Sequence, residues 1–288
     1  MTDLLLKVKR FVDSGKFLSA SSSFLLQNAV DNNLLLSVIS TFRTNPGYYD
    51  SFVGHVCVDQ NDEVVAAVAR TPPYDLLIAK SHSRHGLRLL CDVVWPDRIP
   101  GIIGDRGSVG VFADQMCRTT GCSLIFRESL RNYSADTIRP THITDGVIRE
   151  ATIKDKDTII RWLETWYSVS GNAPTKNPTT SADRSFNRTM TDSVAKIWVL
   201  EKDEIVSMAG SMGEVADGIR IGPVFTPAEH RGHGYAKTLI AEVGKLRLSQ
   251  GYKRLFLFVD ANNTIANKIY MDMGYRPSGV MDRYEIIF

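Results

Sequence analysis

The sequence predicts an α/β fold, and three observations carry the prediction. First, a short apolar segment, Ile221-Gly222-Pro223-Val224-Phe225, passes through a proline-bounded turn into a glycine-punctuated loop. From there apolar residues fall at Tyr235, Ala236, Leu239, Ile240, Val243 and Leu246, the spacing of one helical face. Second, the apolar run Arg254–Val259 reads as a buried strand and leads through Asn262 and Asn263 into a short helix ended by Gly274. Third, strand-patterned and helix-patterned segments alternate along the rest of the chain.

The loop Arg231-Gly232-His233-Gly234-Tyr235-Ala236-Lys237 stands at the first turn of the predicted helix, where backbone N–H groups have no intrahelical acceptor. Those amides and the positive end of the helix dipole suit a phosphate-type anion, and glycine lets the anion approach the backbone. The loop is not a dinucleotide fingerprint, which needs three glycines and a later acid, nor a Walker loop, which ends in Gly-Lys-Ser/Thr. Without a ligand it is simply a glycine-containing turn.

The pattern Arg231-x-x-Gly234-x-Ala236 after a strand resembles the coenzyme A pyrophosphate loop of the GNAT acetyltransferase superfamily. Downstream, Asn263-x-x-Ala266-x-x-x-Tyr270 followed by Gly274-Tyr275 resembles the second half of the same superfamily's signature. The resemblance covers about Val147–Phe288. It implies a GNAT acyl-CoA N-acyltransferase fold there, with acetyl-CoA as co-substrate and an amine as acceptor. Residues 146–288 are expected to form the catalytic domain. Residues 1–140, which lack both motifs, are expected to form a degenerate GNAT-like α/β domain without a cofactor site.

Length and composition agree with two soluble domains. At 288 residues the chain can hold about two cores. Its 43% hydrophobic and 23% charged residues are ordinary for a globular protein. A net charge of +2 gives no electrostatic case for nucleic acid or an anionic membrane. No apolar run approaches the ~20 residues of a membrane span, and the start is too broken by charge for a secretory signal. Cys57, Cys91, Cys117 and Cys122 form no Cys-x-x-Cys pair and have no nearby histidine partners, so free thiols in the cytoplasm are expected, and no metal. The oligomeric state stays open.

In chain order, the residues up to Thr44 read as helical, until Asn45-Pro46-Gly47 breaks the pattern. Phe52–Val58 and Val64–Ala69, joined by Asp59-Gln60-Asn61-Asp62, read as a hairpin. A short strand at Leu76–Ala79, helices at Gly86–Val94 and Val109–Thr119, and a strand at Cys122–Phe126 follow. Asp136–Gly146 reads as a linker. Beyond it come a strand at Val147, a helix through Ile159–Trp166, a loop over Gly171–Thr180 and a helix near Ala182–Met190. Strands at Ile197–Glu201, Ile205–Met212 and through Ile219 and Ile221 lead to the glycine loop.

The resemblance also implies roles. The loop from Arg231 to Lys237 would hold the pyrophosphate, with Arg231 alternatively a plain surface charge. The strand residues Val224, Phe225 and Thr226 would bind the pantetheine arm. Pro223 has no N–H, so an oxyanion donor falls to Val224 or a neighbour. Asn263 contacts coenzyme A, caps the helix, or does both. Tyr270 is either the general acid or a packing residue. No motif names the base: Glu214 or water is favoured over Asp217, Asp260, His230 and His233. Three functions fit: an acetyl-CoA-dependent N-acetyltransferase, a catalytically silent coenzyme A-binding sensor, and an acyltransferase for a longer acyl chain.

Overall fold

The computed structural model describes residues 5–45, 47–94, 99–141, 144–170 and 177–287. The chain divides into two compact units. One holds the residues through Asn132, with Asp260–Asn262 and the stretch from Ser278 onward; the other holds Tyr133–Val259 and Asn263–Pro277.

In the first unit, β1 (Lys7–Phe11) is followed by α1 (Ser14–Gln27), α2 (Asn33–Thr44), β2 (Val53–Val58), β3 (Val64–Arg70) and β4 (Leu76–Ile78). Then come α3 (Arg84–Val94), β5 (Gly101–Asp105), α4 (Arg106–Thr120) and β6 (Ser123–Ala135). The expected hairpin is present, and Asp59 shapes its turn by accepting from the amides of Asn61 and Glu63 at 2.8 and 3.0 Å. Gly121, at φ 72, ends α4 as expected. The last strand of the chain, β12 (Arg276–Ile287), lies antiparallel to β5 from Met281↔Asp105 to Glu285↔Gly101, giving the order β1-β2-β3-β4-β5-β12-β6. Val68, Leu76, Leu87, Leu90, Ile102 and Phe112 build this core.

Three readings of the sequence are corrected. Lys7–Phe11 is not helical but an edge strand, paired antiparallel with β2 from Lys7↔Val58 to Phe11↔Gly54. The partner strand, distant in sequence, overrides local pattern there. The strand β5 was not anticipated; its Gly104 lies so close to β4 that a Cβ would run into the Ile78 carbonyl. The loop expected over 171–180 lies outside the described residues up to 176, and from Pro178 the chain is already helical, with Asn177 capping the amides of Thr179 and Thr180.

The second unit repeats the first in order: β7 (Val147–Glu150), α5 (Lys156–Ser170), α6 (Pro178–Thr191), β8 (Lys196–Glu201), β9 (Ile205–Val215) and β10 (Gly218–Phe225). After these come α7 (Tyr235–Ser249), β11 (Arg254–Asp260) and α8 (Thr264–Asp272). The strands run β6-β11-β10-β9-β8-β7, with β6 contributing its residues from Tyr133 on. Side chains alternate across β8: Ile197 and Val199 join Ile159, Leu163 and Phe186 under α5 and α6, whereas Trp198 and Leu200 join Leu239, Val243 and Tyr270. Both sheet faces are therefore covered.

One polar knot fixes the entry to α5. Asp155 accepts from the Thr152 amide at 2.7 Å in a capping box and from Arg149 at 2.8 and 2.9 Å, and Arg149 also reaches Glu201 at 2.6 Å. The Arg149 guanidinium lowers the Asp155 carboxyl from the ordinary 3.8 to about 2. A depressed carboxylate contributes stability that is present above its unfolded value and is lost as pH falls through the folded one. Asp155→Asn should therefore cost about 1–2 kcal/mol near neutral pH. In denaturant unfolding its deficit against wild type should shrink between about pH 4 and pH 2; a deficit independent of pH would show that charge plays no part.

Candidate functional site

The site starts with two strands that part. On one side β10 is antiparallel to β9 from Gly218↔Val215 to Phe225↔Met208, with a shift between Ile221 and Val224 that leaves Gly222 and Pro223 out of register. A Cβ at Gly210 would stand 2.5 Å from the Gly222 carbonyl oxygen, so only glycine admits this bulge. On the other side β10 pairs parallel with β11 only from Gly218↔Arg254 to Arg220↔Phe256. Past Arg220 the two strands continue, to Phe225 and Asp260, without a described pairing. The edges of Ile221–Phe225 and Leu257–Asp260 are thereby opened to a ligand's backbone-binding groups.

The opened strand leads into the glycine loop. The Thr226 hydroxyl meets Ser207 at 2.9 Å, and Arg231 Nε donates to the Thr226 carbonyl at 3.0 Å, so Arg231 braces the loop as well as bringing charge. Gly232 and Gly234 have φ of 82 and 80, conformations that favour glycine, and nothing stands within 4 Å of a Cβ at Gly232. Gly234 is the N-cap of α7 without any side-chain cap, and Thr238 N donates to the Gly234 carbonyl at 3.0 Å. Among the described residues, no acceptor takes the backbone amides of Gly232 to Lys237. This concave row of unpaired N–H groups at a helix N-terminus is built for an anion.

Charged and aromatic groups ring the loop. His233 stacks on Tyr235 with centroids 5.3 Å apart and a 15° tilt, and Lys202 Nζ stands 5.8 Å from the centre of the Tyr235 ring. His230 Nε2 faces Glu204 at 3.4 Å, so neither loop histidine is directed at the opened strands. Ala236 and Val224 pack against the apolar cluster that contains Tyr270. Phe225 turns the other way, its ring 5.9 Å from Trp162.

Asn263 does cap α8, accepting from the Ala266 amide at 3.0 Å. Tyr270, on the inner face of α8, lies between Tyr133 and Tyr275 at centroid distances of 6.2 and 5.7 Å. Its hydroxyl makes no hydrogen bond to a described residue, and burial pushes its pKa up to about 12. The buried Tyr275 hydroxyl is likewise unpartnered. Two sequence candidates are not brought to the loop: Asp217, in the turn before β10, and Glu214. Glu214 sits opposite Ile219 at the start of β10 and accepts from Tyr252 at 2.8 Å, while Val224 lies roughly 15 Å further along the strand at about 3.3 Å per residue. Sequence reasoning also passed over Ser207, a fully buried serine in an apolar strand that ties down Thr226.

The equivalent place in the first unit is closed. There β4 and β5 stay paired through Ile78↔Gly104. The amides that follow are taken by side chains: Lys80 by Asn32, Ser81 by Ser108, Ser83 by Ser81 and Gly86 by Ser83. One repeat presents free amides and the other has spent them.

Comparisons with known proteins bear on the fold. Residues 167–285 match the family model described as acetyltransferase (GNAT) domain. No curated protein matches the sequence. Among solved structures, a Drosophila protein aligns over 99% of both chains at 10% identity and a TM-score of 0.66. A GCN5-related N-acetyltransferase from Sphaerobacter thermophilus aligns over 96% of this chain and 94% of its own, at 16% identity and 0.62. A tandem GNAT protein from the clavulanic acid biosynthesis pathway, solved without AcCoA, aligns over 97% of both at 11% and 0.60. At these identities the likeness establishes fold. Residues 167–285 are similar to that family's domain, and the fold across the chain's length is like that of two-domain GNAT structures.

The buried phenol gives a direct check. The tyrosinate absorbance of wild type and of Tyr270→Phe should rise together below about pH 11, because Tyr270 stays protonated there. An extra tyrosinate in wild type titrating near pH 10 would place Tyr270 in water.

Proposed function

We propose that the second half of the chain is an N-acetyltransferase that moves an acetyl group from acetyl-CoA directly to a primary amine in a ternary complex. One observation carries the reading: strands that part at Arg220 lead straight into a helix N-terminus whose amides are unpaired and opened by Gly232 and Gly234. The amides from Gly232 to Lys237 would hold the pyrophosphate, with Arg231 and Lys237 adding positive charge. The free edge of Val224, Phe225 and Thr226 would hold the pantetheine arm. Val224 carries the first amide after Pro223 and is the candidate donor to the oxyanion that forms as the amine attacks the thioester carbon. In the balanced reaction the C–N bond forms, the C–S bond breaks, the amine loses a proton to solvent or a base, and the thiolate gains one.

Tyr270 is the proposed donor to that departing sulfur. Its high pKa sets how it can act. A thiol near the ordinary cysteine value of about 8.5 is a stronger acid than a phenol at about 12, so complete transfer is uphill by about 5 kcal/mol. The phenol therefore serves as a neutral hydrogen-bond donor to the growing charge, and burial keeps it protonated at every working pH. Asn263, already a cap, can offer its remaining amide protons to the donor molecule. Glu214, on β9 opposite the start of β10, leaves deprotonation to solvent, the observation that keeps a coenzyme A-binding sensor as the second reading. Four free cysteines, with Cys57 pushed up to about 11 and Cys91 to about 12 by burial, fit inert thiols in the cytoplasm. No helix among the described residues is long and apolar enough to cross a membrane, and no described cluster of His, Cys, Asp and Glu could hold a metal.

Calorimetry with acetyl-CoA should give one equivalent per chain, since the amides after β4 in the first unit are occupied. Gly234→Asp, which places a carboxylate and a Cβ at φ 80 against the anion, should abolish binding while circular dichroism stays native; undiminished affinity would remove the loop from the donor site. Turnover is read by thiol release over a panel of primary amines. Tyr270→Phe keeps the packing and loses only the hydroxyl, so kcat should fall at least about tenfold with acetyl-CoA affinity nearly unchanged. Wild-type turnover by the Phe variant would leave Tyr270 a packing residue, and binding without thiol release on any amine would favour the sensor.

A further inference from the structure

The segment between β6 and β7 reads as a linker, yet it is fitted to the second unit at three glycines. Ile138 Cγ1 stands 3.1 Å from a Cβ built at Gly244, Arg139 Cγ 3.2 Å from one at Gly274, and Thr144 Cγ2 3.4 Å from one at Gly234. Gly244 and Gly274 let the segment lie closer than a Cβ would comfortably allow, and at Gly234 Thr144 stands at ordinary contact distance. Hydrogen bonds fasten both described stretches: Arg139 N donates to the Met273 carbonyl at 3.0 Å, and Thr144 N donates to Thr238 Oγ1 at 3.0 Å. The Thr144 hydroxyl lies 3.2 Å from that same oxygen. Thr238 is fully buried, and its own amide makes the first intrahelical bond of α7, to Gly234.

We propose that Thr144 and Thr238 form a latch through which this strap positions the first turn of α7 for the pyrophosphate of the donor, making both positioning residues of the donor site. The inference rests on the acetyl-CoA reading above, but its residues belong to neither sequence motif, and Thr144 lies outside the matched span 167–285. The physical need is plain. The start of α7 has no side-chain cap, and its two glycines with positive φ make the loop costly to order. Helix ends fray, and a row of amides binds an anion well only when it is held in place beforehand. The Thr238 hydroxyl supplies that restraint from inside the protein: it leaves the outward amides free, whereas the Ser83 cap in the first unit consumes one. Thr144 binds Thr238, whose amide bonds to Gly234, the residue on which the loop turns, so loosening the latch loosens the loop.

The test compares the full chain with Thr238→Val, which keeps the shape and removes the acceptor, and with Thr238→Ser, which restores it. Thr144→Ala is a milder variant should Val fold poorly. Hydrogen exchange on the ligand-free proteins should quicken in the Val variant over residues 238–242, the first hydrogen-bonded amides of α7, and stay at wild-type rates elsewhere in the second unit. Coenzyme A affinity by calorimetry should weaken about tenfold in the Val variant, which removes the acceptor of both Thr144 bonds, about threefold in Thr144→Ala, which removes one, and return to within about twofold of wild type in the Ser variant. Unchanged exchange over 238–242, unchanged affinity, or exchange that quickens throughout the unit would each overturn the latch. If wild type itself does not bind coenzyme A, the donor reading fails, and the exchange arm alone decides whether the latch holds the turn.

Discussion

The second unit depends on the parting of β10 from β11 beyond Arg220. Strands buried under helices on both faces normally keep every ladder bond, because an unpaired amide or carbonyl costs free energy once water is excluded. Here β10 leaves β11, and its other ladder, to β9, carries a bulge that needs glycine on both sides, Gly210 and Gly222, and that contains a proline unable to donate. The strand does not fall away, because apolar clusters hold it from both faces: Ile219, Ile221 and Val224 on the α7 side, Phe225 on the α5 side. Packing thus stabilises a backbone edge that hydrogen bonding has given up, and a ligand can take its place.

The two halves show how little separates a working site from a closed one. Both have the same order of strands and helices, and both bring a strand end to a helix N-terminus. In the first, Gly104 draws β5 against Ile78 and the strands stay zipped, while Asn32, Ser81, Ser83 and Ser108 take the amides that follow. In the second, glycines stand in the loop where serines stand in the first. A serine satisfies a helix start from within; a glycine leaves it for something else to satisfy. The choice between a stable fold and a binding site is made at those few positions.

The chemistry follows from burial as much as from residue identity. Tyr270 is packed among Tyr133 and Tyr275, with no hydrogen bond to spend its proton on. Removal from water makes it a weaker acid, which suits a group that shares a proton rather than surrendering it. The packing role seen in the fold is compatible with the proposed proton-donor role, although the two were alternatives on the sequence.

What the sequence determined by itself was local. The period of apolar residues marked α7, glycine and asparagine marked the ends of α4 and α8, and the loop chemistry of Arg231 to Lys237 was legible from glycine spacing at a helix start. These features depend on neighbours a few residues away, so the chain states them directly. Tertiary structure decided the rest. Lys7–Phe11 is a strand because β2 lies beside it, and Glu214 stands far from the loop because β9 and β10 run antiparallel with Ile219 as its partner. The segment after Ala135 carries the composition of a linker, yet the hydroxyl of Thr238 and the bare surfaces of Gly234, Gly244 and Gly274 make it part of the second unit. Contacts between residues distant in the chain leave no period and no motif, because each is chosen by the shape of its partner.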